Sequence, residues 1–355
     1  MHVVTILGAR PQFVKAAVVS KALAEIGIKE TIIHTGQHYD HAMSGIFWDE
    51  LGIPSPGINL QVGSGSHGKQ TASMLDQIEE FLLNNKHEIS ALMVYGDTNS
   101  TIAGALAAAK LHIPVIHVEA GLRSFNKKMP EEVNRILTDH ISDLLFCSSE
   151  IGVNQLKKEG IEKGVFNVGD VMFDALLTFS DIAKFRQKLS GIIPFKNHEY
   201  YLATIHRPSN TDNPEHLKAI LAAFSEFKKP VVWPVHPRNK AMLASMKLPE
   251  NLFTTEPQPY FNMLVLLDHA ELVLTDSGGL QKEAYWKGKP CITLRDETEW
   301  VETLDNGWNQ LTGADQQKIS NAVKAKPTAP WKPIYGDGKA SVAIALEIKR
   351  FIESI

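Results

Sequence analysis

The sequence predicts an α/β protein with two Rossmann-like, doubly wound domains that face a cleft. Its 355 residues amount to about two domains at roughly 150 residues each. Short apolar runs alternate with amphipathic segments of helical length, a pattern typical of repeated βαβ units around buried parallel sheets. With 44% hydrophobic and 21% charged residues, the chain has enough apolar side chains for a core in each domain.

The first domain is expected over residues 1–169. Its predicted strands are the apolar runs at residues 3–7, 31–34, 92–95, 115–118, 144–147 and 165–168. Residues 74–83 predict one of the intervening helices, because Leu75, Ile78, Phe81 and Leu82 share one helical face.

The second domain is expected over residues 170–340, where the alternation begins again after Gly169-Asp170. Its predicted strands are residues 201–205, 231–235, 272–275 and 291–294. Residues 341–355 predict a closing helix, which we expect to pack back on the N-terminal domain.

Composition and charge exclude several classes of function. The net charge of -4 and the lack of a basic run argue against nucleic-acid binding. The two cysteines, Cys147 and Cys291, are too few and too far apart for a disulfide framework or a zinc site. Residues 2–7 predict a strand with no export leader before it, and the most apolar stretch is interrupted by Asp268 and Glu271. We therefore expect a cytoplasmic protein without a membrane span.

In open parallel sheets, ligands bind beyond the carboxyl ends of the strands, so the residues that follow each strand are the informative ones. The first predicted strand is followed by Gly8-Ala9-Arg10-Pro11 and then Lys15. A glycine turn, free amides at a helix start and nearby cations suit an anion. The loop alone is equally consistent with a structural βα turn.

A second loop, Thr275-Asp276-Ser277-Gly278-Gly279, opens the predicted helix that carries Glu283. Two glycines allow the backbone to approach a pyrophosphate, and a carboxylate one turn on could accept hydrogen bonds from ribose hydroxyls. The loop therefore suits a nucleoside diphosphate. An ordinary helix N-cap is the alternative interpretation.

Carboxylates follow two neighbouring strands of the first domain. Asp97 comes after residues 92–95 and Glu119 after residues 115–118, so both should project at the same edge of the sheet. Glu131 and Glu132 begin the next helix and could bring a third carboxylate to that place. Taken singly, Asp97 could merely cap a helix near Asn99, and Glu131 could merely suit the positive end of a helix.

In the second domain, His206-Arg207 and His236-Pro237-Arg238 each follow a strand and suit a diphosphate. We predict no metal site, because His34 and His38 fall on a strand and its loop rather than on one helix face. The Gly-x-Gly-x-x-Gly string at residues 63–68 lacks a convincing preceding strand, so it predicts a flexible loop rather than a dinucleotide site.

Over nearly its whole length, the chain resembles the non-hydrolysing UDP-N-acetylglucosamine 2-epimerase family. The motifs that carry the resemblance are Gly8-Ala9-Arg10-Pro11, Thr35-Gly36-Gln37-His38, Gly96-Asp97-Thr98-Asn99-Ser100, His117-Val118-Glu119-Ala120-Gly121-Leu122-Arg123, Pro130-Glu131-Glu132-Val133-Asn134-Arg135, His206-Arg207 and Asp276-Ser277-Gly278-Gly279 with Glu283. The resemblance implies a glycosyltransferase-B fold, a UDP-sugar substrate, a homodimer and no added cofactor.

It also implies the roles of individual residues. The implied catalytic set is Asp97, Glu119, Glu131 and His206. The implied substrate and UDP-binding set is Arg10, Lys15, His38, Arg123, Arg207, His236, Gln258, Phe261, Ser277, Gly278, Gly279 and Glu283.

The implied reaction inverts C2 of the sugar by elimination. One carboxylate takes the C2 proton while UDP leaves C1, which gives a 2-acetamidoglycal. A proton then arrives on the opposite face of C2 and UDP adds back. Two faces need at least two acid–base groups, and the sequence does not assign the steps between them.

Several positions depart from the usual pattern for UDP-N-acetylglucosamine. Residues 298–302 read Thr-Glu-Trp-Val-Glu, which puts Trp300 in place of a substrate-facing arginine. Met263 replaces the aromatic expected near the uracil, which leaves Phe261 or Tyr260 as substitutes. Tyr39-Asp40 lacks the glutamine associated with allosteric activation. With Met43-Ser44 and Ser66-His67-Gly68, these changes favour the subgroup that acts on UDP-2,3-diacetamido-2,3-dideoxyglucuronate for surface polysaccharides.

Three other functions remain open at this point. A UDP-dependent glycosyltransferase of the same fold would share the glycine loop and Glu283. A hydrolysing epimerase would release UDP and the free sugar. A non-catalytic sugar-nucleotide sensor would bind UDP without exchanging a proton.

Overall fold

The computed structural model describes residues 1–36 and 57–355, without the side chains of Arg10, Pro237, Arg238 and Ala241. These residues divide into two units. The first comprises Met1–Leu177 together with Tyr335–Ile355, and the second comprises Thr178–Ile334. The sequence predicted the first domain boundary at residue 169. The units divide instead after Leu177, inside a helix that runs through this boundary.

The first unit contains a parallel sheet of seven strands in the described residues. The strands are β1 (His2–Leu7), β2 (Lys29–His34), β3 (Ile58–Asn59), β4 (Ala91–Tyr95), β5 (Val115–Ala120), β6 (Leu144–Cys147) and β7 (Val165–Asn167). Their spatial order is β3-β2-β1-β4-β5-β6-β7, so the order reverses between β1 and β4. Ligands of doubly wound sheets bind at this kind of switch point.

Helices join these strands. They are α1 (Arg10–Glu25), α2 (His67–Asn85), α3 (Asn99–Lys110), α4 (Pro130–His140), α5 (Glu150–Lys158) and α6 (Val171–Arg186). The predicted helix at residues 74–83 lies within α2, but the buried face of α2 runs through Gln70, Met74, Ile78 and Leu82. Leu75 and Phe81 lie at the margin of this face and are only partly buried.

The second unit contains a parallel sheet of six strands. They are β8 (Tyr201–Thr204), β9 (Val231–Pro234), β10 (Leu252–Thr255), β11 (Leu272–Thr275), β12 (Cys291–Thr293) and β13 (Asn309–Leu311). Their order is β10-β9-β8-β11-β12-β13, which reverses between β8 and β11. The loops that follow β8 and β11 therefore meet at the second switch point.

The helices of this unit are α7 (Pro208–Thr211), α8 (Pro214–Ser225), α9 (Pro237–Ala244), α10 (Tyr260–His269), α11 (Gly278–Trp286) and α12 (Gln316–Lys324). Residues Val301–Gly307 form a 3-10 helix after β12. Apolar side chains from β8, β9, β11 and α8, including Trp233 and Phe224, form one of the cores of the unit.

The last helix, α13 (Ala340–Ser354), belongs to the first unit and packs against α1. Its N-terminus is held by Asp174 of α6, whose carboxylate accepts hydrogen bonds from the backbone amides of Ala340 at 3.2 Å and Ser341 at 2.7 Å. In the described part of the chain, every helix is too short or too polar to cross a bilayer.

Candidate active site

Asp97 stands in the turn that follows β4. Gly96, with a φ of +64°, turns the chain, and the carboxylate of Asp97 forms an ion pair with Arg135 of α4. The N-cap of α3 is Thr98, whose hydroxyl accepts a hydrogen bond from the amide of Thr101 at 3.3 Å. The interpretation of Asp97 as a helix cap is therefore wrong, and its carboxylate is left to face Arg135.

Glu119 lies near the end of β5 in a strained conformation. Its φ is +74°, in the left-handed region that residues other than glycine rarely adopt. The pairing of β5 with β6 also shifts register between Val118 and Ala120. Distortions of this kind often re-aim a side chain beside an active site. Here the carboxylate forms an ion pair with Lys15 of α1, and the two side chains are 13% and 8% exposed.

The two carboxylates lie close together. A Cβ placed on Gly96 would come within 3.4 Å of Glu119 Oε2, so the Glu119 carboxylate lies against the turn that presents Asp97. Burial raises the pKa of Asp97 although its side chain is 30% exposed, Arg135 and Lys15 oppose the rise, and the charge of Glu119 adds to it. A carboxyl group that holds its proton more tightly than usual suits proton exchange near neutral pH.

Helix α4 supports this arrangement through Glu132. Glu132 is 1% exposed, and its carboxylate accepts hydrogen bonds from the amides of Ser124 and Phe125, both at 2.8 Å. The guanidinium of Arg135 also donates to Glu132, at 3.1 Å. Glu131, on the same first turn, is exposed instead. Glu132 is therefore the buried member of the pair, and a catalytic role for Glu131 stays a prediction.

Gln12 connects the loop after β1 to the end of β4. Its side-chain oxygen accepts hydrogen bonds from the amides of Gly8 at 2.7 Å and Ala9 at 3.0 Å, and its side-chain nitrogen donates to the carbonyl of Tyr95 at 2.7 Å. Two of the amides that the sequence offered to an anion are thus already bonded. Gln12 was missed because nothing in its position shows that it reaches a strand 83 residues away.

In the second unit, the buried carboxylate of Asp276 organises the switch point. It accepts hydrogen bonds from the backbone amides of His206 and Arg207, both at 3.0 Å, and from the side chain of Asn210 at 3.1 Å. These bonds join the loop after β8 to the loop after β11. The sequence grouped Asp276 with the phosphate loop, but the structure gives it a supporting role.

The imidazole of His206 is presented above this carboxylate. Its side chain is 45% exposed, and its Nδ1 lies 3.3 Å from Asp276 Oδ1. Burial lowers the pKa of His206, and Arg207 and His236 lower it further, whereas Asp276 acts to raise it. The charges of Arg207 and His236 therefore both act on His206.

The glycine loop meets Arg207. Ser277 is the N-cap of α11, and its hydroxyl accepts a hydrogen bond from the amide of Leu280 at 3.5 Å. A Cβ on Gly278 would lie 3.9 Å from the guanidinium of Arg207 and 3.7 Å from the indole nitrogen of Trp300. Gly279 is exposed at the helix start, and Glu283 follows on the same helix, partly exposed. Arg207 thus lies beside the glycines that begin α11, and Glu283 belongs to the same helix.

Three residues of the predicted substrate-binding set, Arg123, Phe261 and Gln258, have side chains that contact other parts of the protein. Arg123 is 2% exposed, and its guanidinium donates to Asp139 at 2.7 Å and to Glu159 at 2.6 Å. Phe261 is 2% exposed and packs against Phe179. Neither geometry supports direct contact with a substrate, because both side chains are enclosed by protein. Gln258 donates to the carbonyl of Glu256, in its own loop, at 2.9 Å.

Two further predicted site residues fall wholly or partly outside the described residues. His38, with the neighbouring motif residues Tyr39-Asp40 and Met43-Ser44, lies outside the described residues. The backbone of Arg10 opens α1, but its side chain is likewise outside the description.

A pair of tryptophans encloses Lys282 on α11. The ammonium nitrogen of Lys282 lies 3.6 Å from the ring centre of Trp300 and 5.3 Å from that of Trp286. Lys282 is only 3% exposed, so this cation–π contact is largely desolvated. The unusual Trp300 was visible in the sequence, but its lysine partner was not.

Comparisons with known proteins show which family the chain is similar to. A family model described as UDP-N-acetylglucosamine 2-epimerase matches residues 21–349. A UDP-N-acetylglucosamine 2-epimerase homolog of Methanococcus maripaludis is 51% identical, with 97% of this chain and 98% of the relative covered. The UDP-2,3-diacetamido-2,3-dideoxy-D-glucuronate 2-epimerase of Pseudomonas aeruginosa is 47% identical over the same shares.

A solved structure extends the likeness to three dimensions. The crystal structure of the Methanocaldococcus jannaschii UDP-GlcNAc 2-epimerase, in complex with UDP-GlcNAc and UDP, matches with a TM-score of 0.88 at 42% identity. The match covers 99% of this chain and 100% of that one. The predicted fold, with two Rossmann-like units of the glycosyltransferase-B type, is confirmed. The chain belongs to the UDP-N-acetylglucosamine 2-epimerase family, which is a family of isomerases.

Proposed function

We propose that the protein inverts C2 of a UDP-N-acetylhexosamine by eliminating UDP and adding it back, without hydrolysis. The observation that carries the proposal is the pair of carboxylates at the switch point of the first unit. Asp97 and Glu119 lie against the same turn, and each forms an ion pair with its own buried cation. Two acid–base groups of this kind are what proton removal and return at one carbon require.

The reaction proceeds in two balanced steps. In the first, a carboxylate takes the C2 proton, the C1–O bond breaks with its electron pair going to UDP, and a C1–C2 double bond forms. In the second, a proton is added to the other face of C2 and the UDP oxygen bonds to C1 again. The raised pKa of Asp97 supports its role as one of the two proton carriers, and Glu131 is proposed as a third acid–base group.

The residues at the start of α11 suit the departing diphosphate. His206, Arg207 and the amides of Gly278 and Gly279 would stabilise the negative charge that develops on UDP. His236 and Ser277 would add contacts to the phosphates, and Glu283 would accept from the ribose hydroxyls. In the first unit, Lys15 and Arg10 complete the proposed set of cations.

We propose UDP-2,3-diacetamido-2,3-dideoxyglucuronate as the preferred substrate. Support comes from Trp300, which adjoins Gly278 where the usual pattern has an arginine, and from the 47% identity to the Pseudomonas aeruginosa enzyme named for that sugar. UDP-N-acetylglucosamine is the second candidate, favoured by the names of the Methanococcus maripaludis relative and of the Methanocaldococcus jannaschii enzyme. The homodimer and the cytoplasmic location implied by the sequence stay predictions.

The test incubates the protein with each UDP-sugar in deuterated water, without an acceptor, and follows the products by NMR. We expect a C2 epimer that carries deuterium at C2. Asp97→Asn and Glu119→Gln should each lower kcat by about 100-fold or more, the usual size of an acid–base contribution. Asp337→Asn and Glu215→Gln are matched controls, because these side chains are 73% and 78% exposed.

Each other function gives a different result. Turnover with retention of the C2 hydrogen would contradict the elimination mechanism. Release of UDP and free sugar indicates a hydrolysing epimerase, and UDP release only after an acceptor is added indicates a glycosyltransferase. Binding of UDP with no exchange at C2 indicates a sensor. The ratio of kcat/KM values for the two UDP-sugars decides the substrate.

A further inference from the structure

His117 lies in the middle of β5, two residues before Glu119, and is fully buried. Both of its ring nitrogens have hydrogen-bond partners. Nδ1 lies 2.7 Å from Asp139 Oδ1, and Nε2 lies 2.8 Å from the backbone carbonyl oxygen of Gly96. Neither contact includes a ligand of the proposed reaction, so the mechanism above does not use this residue.

The partners of His117 fix its protonation. A peptide carbonyl can only accept, so Nε2 must carry a hydrogen to bond to Gly96. Asp139 is ionised, because its pKa is lowered and its other oxygen accepts from the guanidinium of Arg123 at 2.7 Å and from the amide of Gly121 at 3.2 Å. An ionised Asp139 can only accept from Nδ1 as well. With both nitrogens donating, the ring is an imidazolium cation.

The surrounding charges balance this cation. Arg123 bridges Asp139 and Glu159, so the buried group contains two cations, His117 and Arg123, and two carboxylates. Burial acts to raise the pKa of Asp139, but His117 and Arg123 outweigh it, and the pKa is lowered. The pKa of Glu159 is lowered as well, since Arg123 outweighs its burial.

Two other titratable groups face this cluster. Burial raises the pKa of the Cys147 thiol, on the neighbouring strand β6, to about 12, so the thiol adds no charge. His140, on α4, reaches to 4.0 Å from Glu159 and is 47% exposed. In the described residues, the charges of this cluster are therefore His117, Arg123, Asp139 and Glu159. The two carboxylates offset the two cations, so the buried imidazolium is compensated.

The cluster holds the two backbone segments that carry the proposed catalytic carboxylates. Gly96, bonded to His117, immediately precedes Asp97, and its φ is +64°. Gly121, bonded to Asp139, comes two residues after Glu119, and its φ is +79°. One imidazolium–carboxylate pair thus fixes both left-handed turns. Removing its charge would release both turns together.

We infer that His117 is a charged positioning residue, which through Gly96 and Asp139 holds the backbone on either side of Asp97 and Glu119 in place for proton transfer. The positioning part of this inference rests on the proposed function. The charge itself does not, because it follows from the hydrogen-bond partners of His117 and the ionised state of Asp139.

The charge is tested by NMR on the full chain labelled with 15N-histidine. Both ring nitrogens of His117 should be protonated at pH 7. The His117→Gln variant assigns the signals, and the partly exposed His140 serves as an internal reference for a ring in contact with solvent. A His117 ring with one unprotonated nitrogen at pH 7 would overturn the inference, whatever the activity of the protein.

The positioning is tested with His117→Gln, because glutamine keeps an amide donor but carries no charge. We expect kcat to fall by about 10-fold or more while KM changes little, since small displacements of reacting groups cost rate rather than binding. The Gly121 amide should also exchange with solvent faster, which is measurable without substrate. Unchanged kcat together with unchanged Gly121 exchange would overturn the positioning. The exposed His87→Gln is the matched control.

Discussion

Asp97 shows how two opposed effects set the behaviour of one side chain. Burial raises the pKa of its carboxyl group, and the guanidinium of Arg135 lowers it. Arg135 is itself held by Glu132 at 3.1 Å, and both of these side chains are nearly buried. The proton affinity of Asp97 therefore depends on a cation whose position is fixed by the protein and not by the substrate.

Replacement of Arg135 tests this dependence. In Arg135→Met the cation that favours the ionised form of Asp97 is gone, while burial and the charge of Glu119 still raise the pKa of Asp97 and Lys15 alone opposes them. If Asp97 must be ionised to take a proton, the rising limb of the kcat–pH profile should move to higher pH by about one unit, as expected for loss of an adjacent opposite charge. Arg135→Lys, which keeps a charge, should move the limb less. An unmoved limb in Arg135→Met contradicts the coupling.

The sequence indicates where the carboxylates stand but not what holds them. Asp97 and Glu119 were found because each follows a predicted strand, and the carboxyl ends of parallel strands share one edge. The cations that pair with them lie on the helices α1 and α4, and Arg135 is 38 positions from Asp97 in the chain. The sequence likewise does not show the partner of Arg123, because Glu159 is 36 residues away.

The junctions between elements depend on buried polar side chains. Gln12 belongs to α1, yet it joins the loop after β1 to the carbonyl of Tyr95 at the end of β4. It is 3% exposed, so each of its hydrogen bonds is made without competition from water. The two sheet ends that form the switch point of the first unit are thereby fixed to one another.

The variant Gln12→Glu keeps the acceptor for Gly8 and Ala9 but loses the donor to Tyr95. A carboxylate would then face a carbonyl in a buried place, which should cost about 1–3 kcal/mol in the free energy of unfolding. Urea denaturation, followed by hydrogen exchange of β1 and β4, measures the loss. The exposed Gln317→Glu makes the same chemical change and should stay within about 0.5 kcal/mol of the wild type. Equal losses in the two variants contradict the role of Gln12.

Three strands that sequence patterns missed, β3, β10 and β13, lie at sheet edges. The inner strands were predicted because both of their faces are covered, which leaves continuous apolar runs. The edge strands β3, β10 and β13 are partly exposed at most positions, so their sequences do not show such runs. A strand at the edge of a sheet is partly exposed to solvent, so it needs fewer apolar residues than an inner strand and gives a weaker sequence signal.

At the scale of the whole chain, the first unit is closed by residues from both ends of the sequence. The chain leaves this unit within α6 and returns at Tyr335, and α13 then packs on α1. The sequence predicted a closing helix but could not show its anchor. That anchor is Asp174, 166 residues before Ala340, whose carboxylate binds the first amides of α13.

Asp174→Ala should therefore destabilise the first unit selectively. It removes acceptors from the Ala340 amide and from the amide and hydroxyl of Ser341, at 3.2, 2.7 and 2.7 Å, and buried donors left unpaired cost about 1–3 kcal/mol. Hydrogen exchange should speed up in α13 and in the facing helix α1, while β8 and β11 keep their protection. Asp181→Ala, at an exposed position on the same helix α6, should leave all four unchanged. Equal loss of protection in α13, α1, β8 and β11 would contradict this prediction, because a local anchor should release the first unit and spare the second.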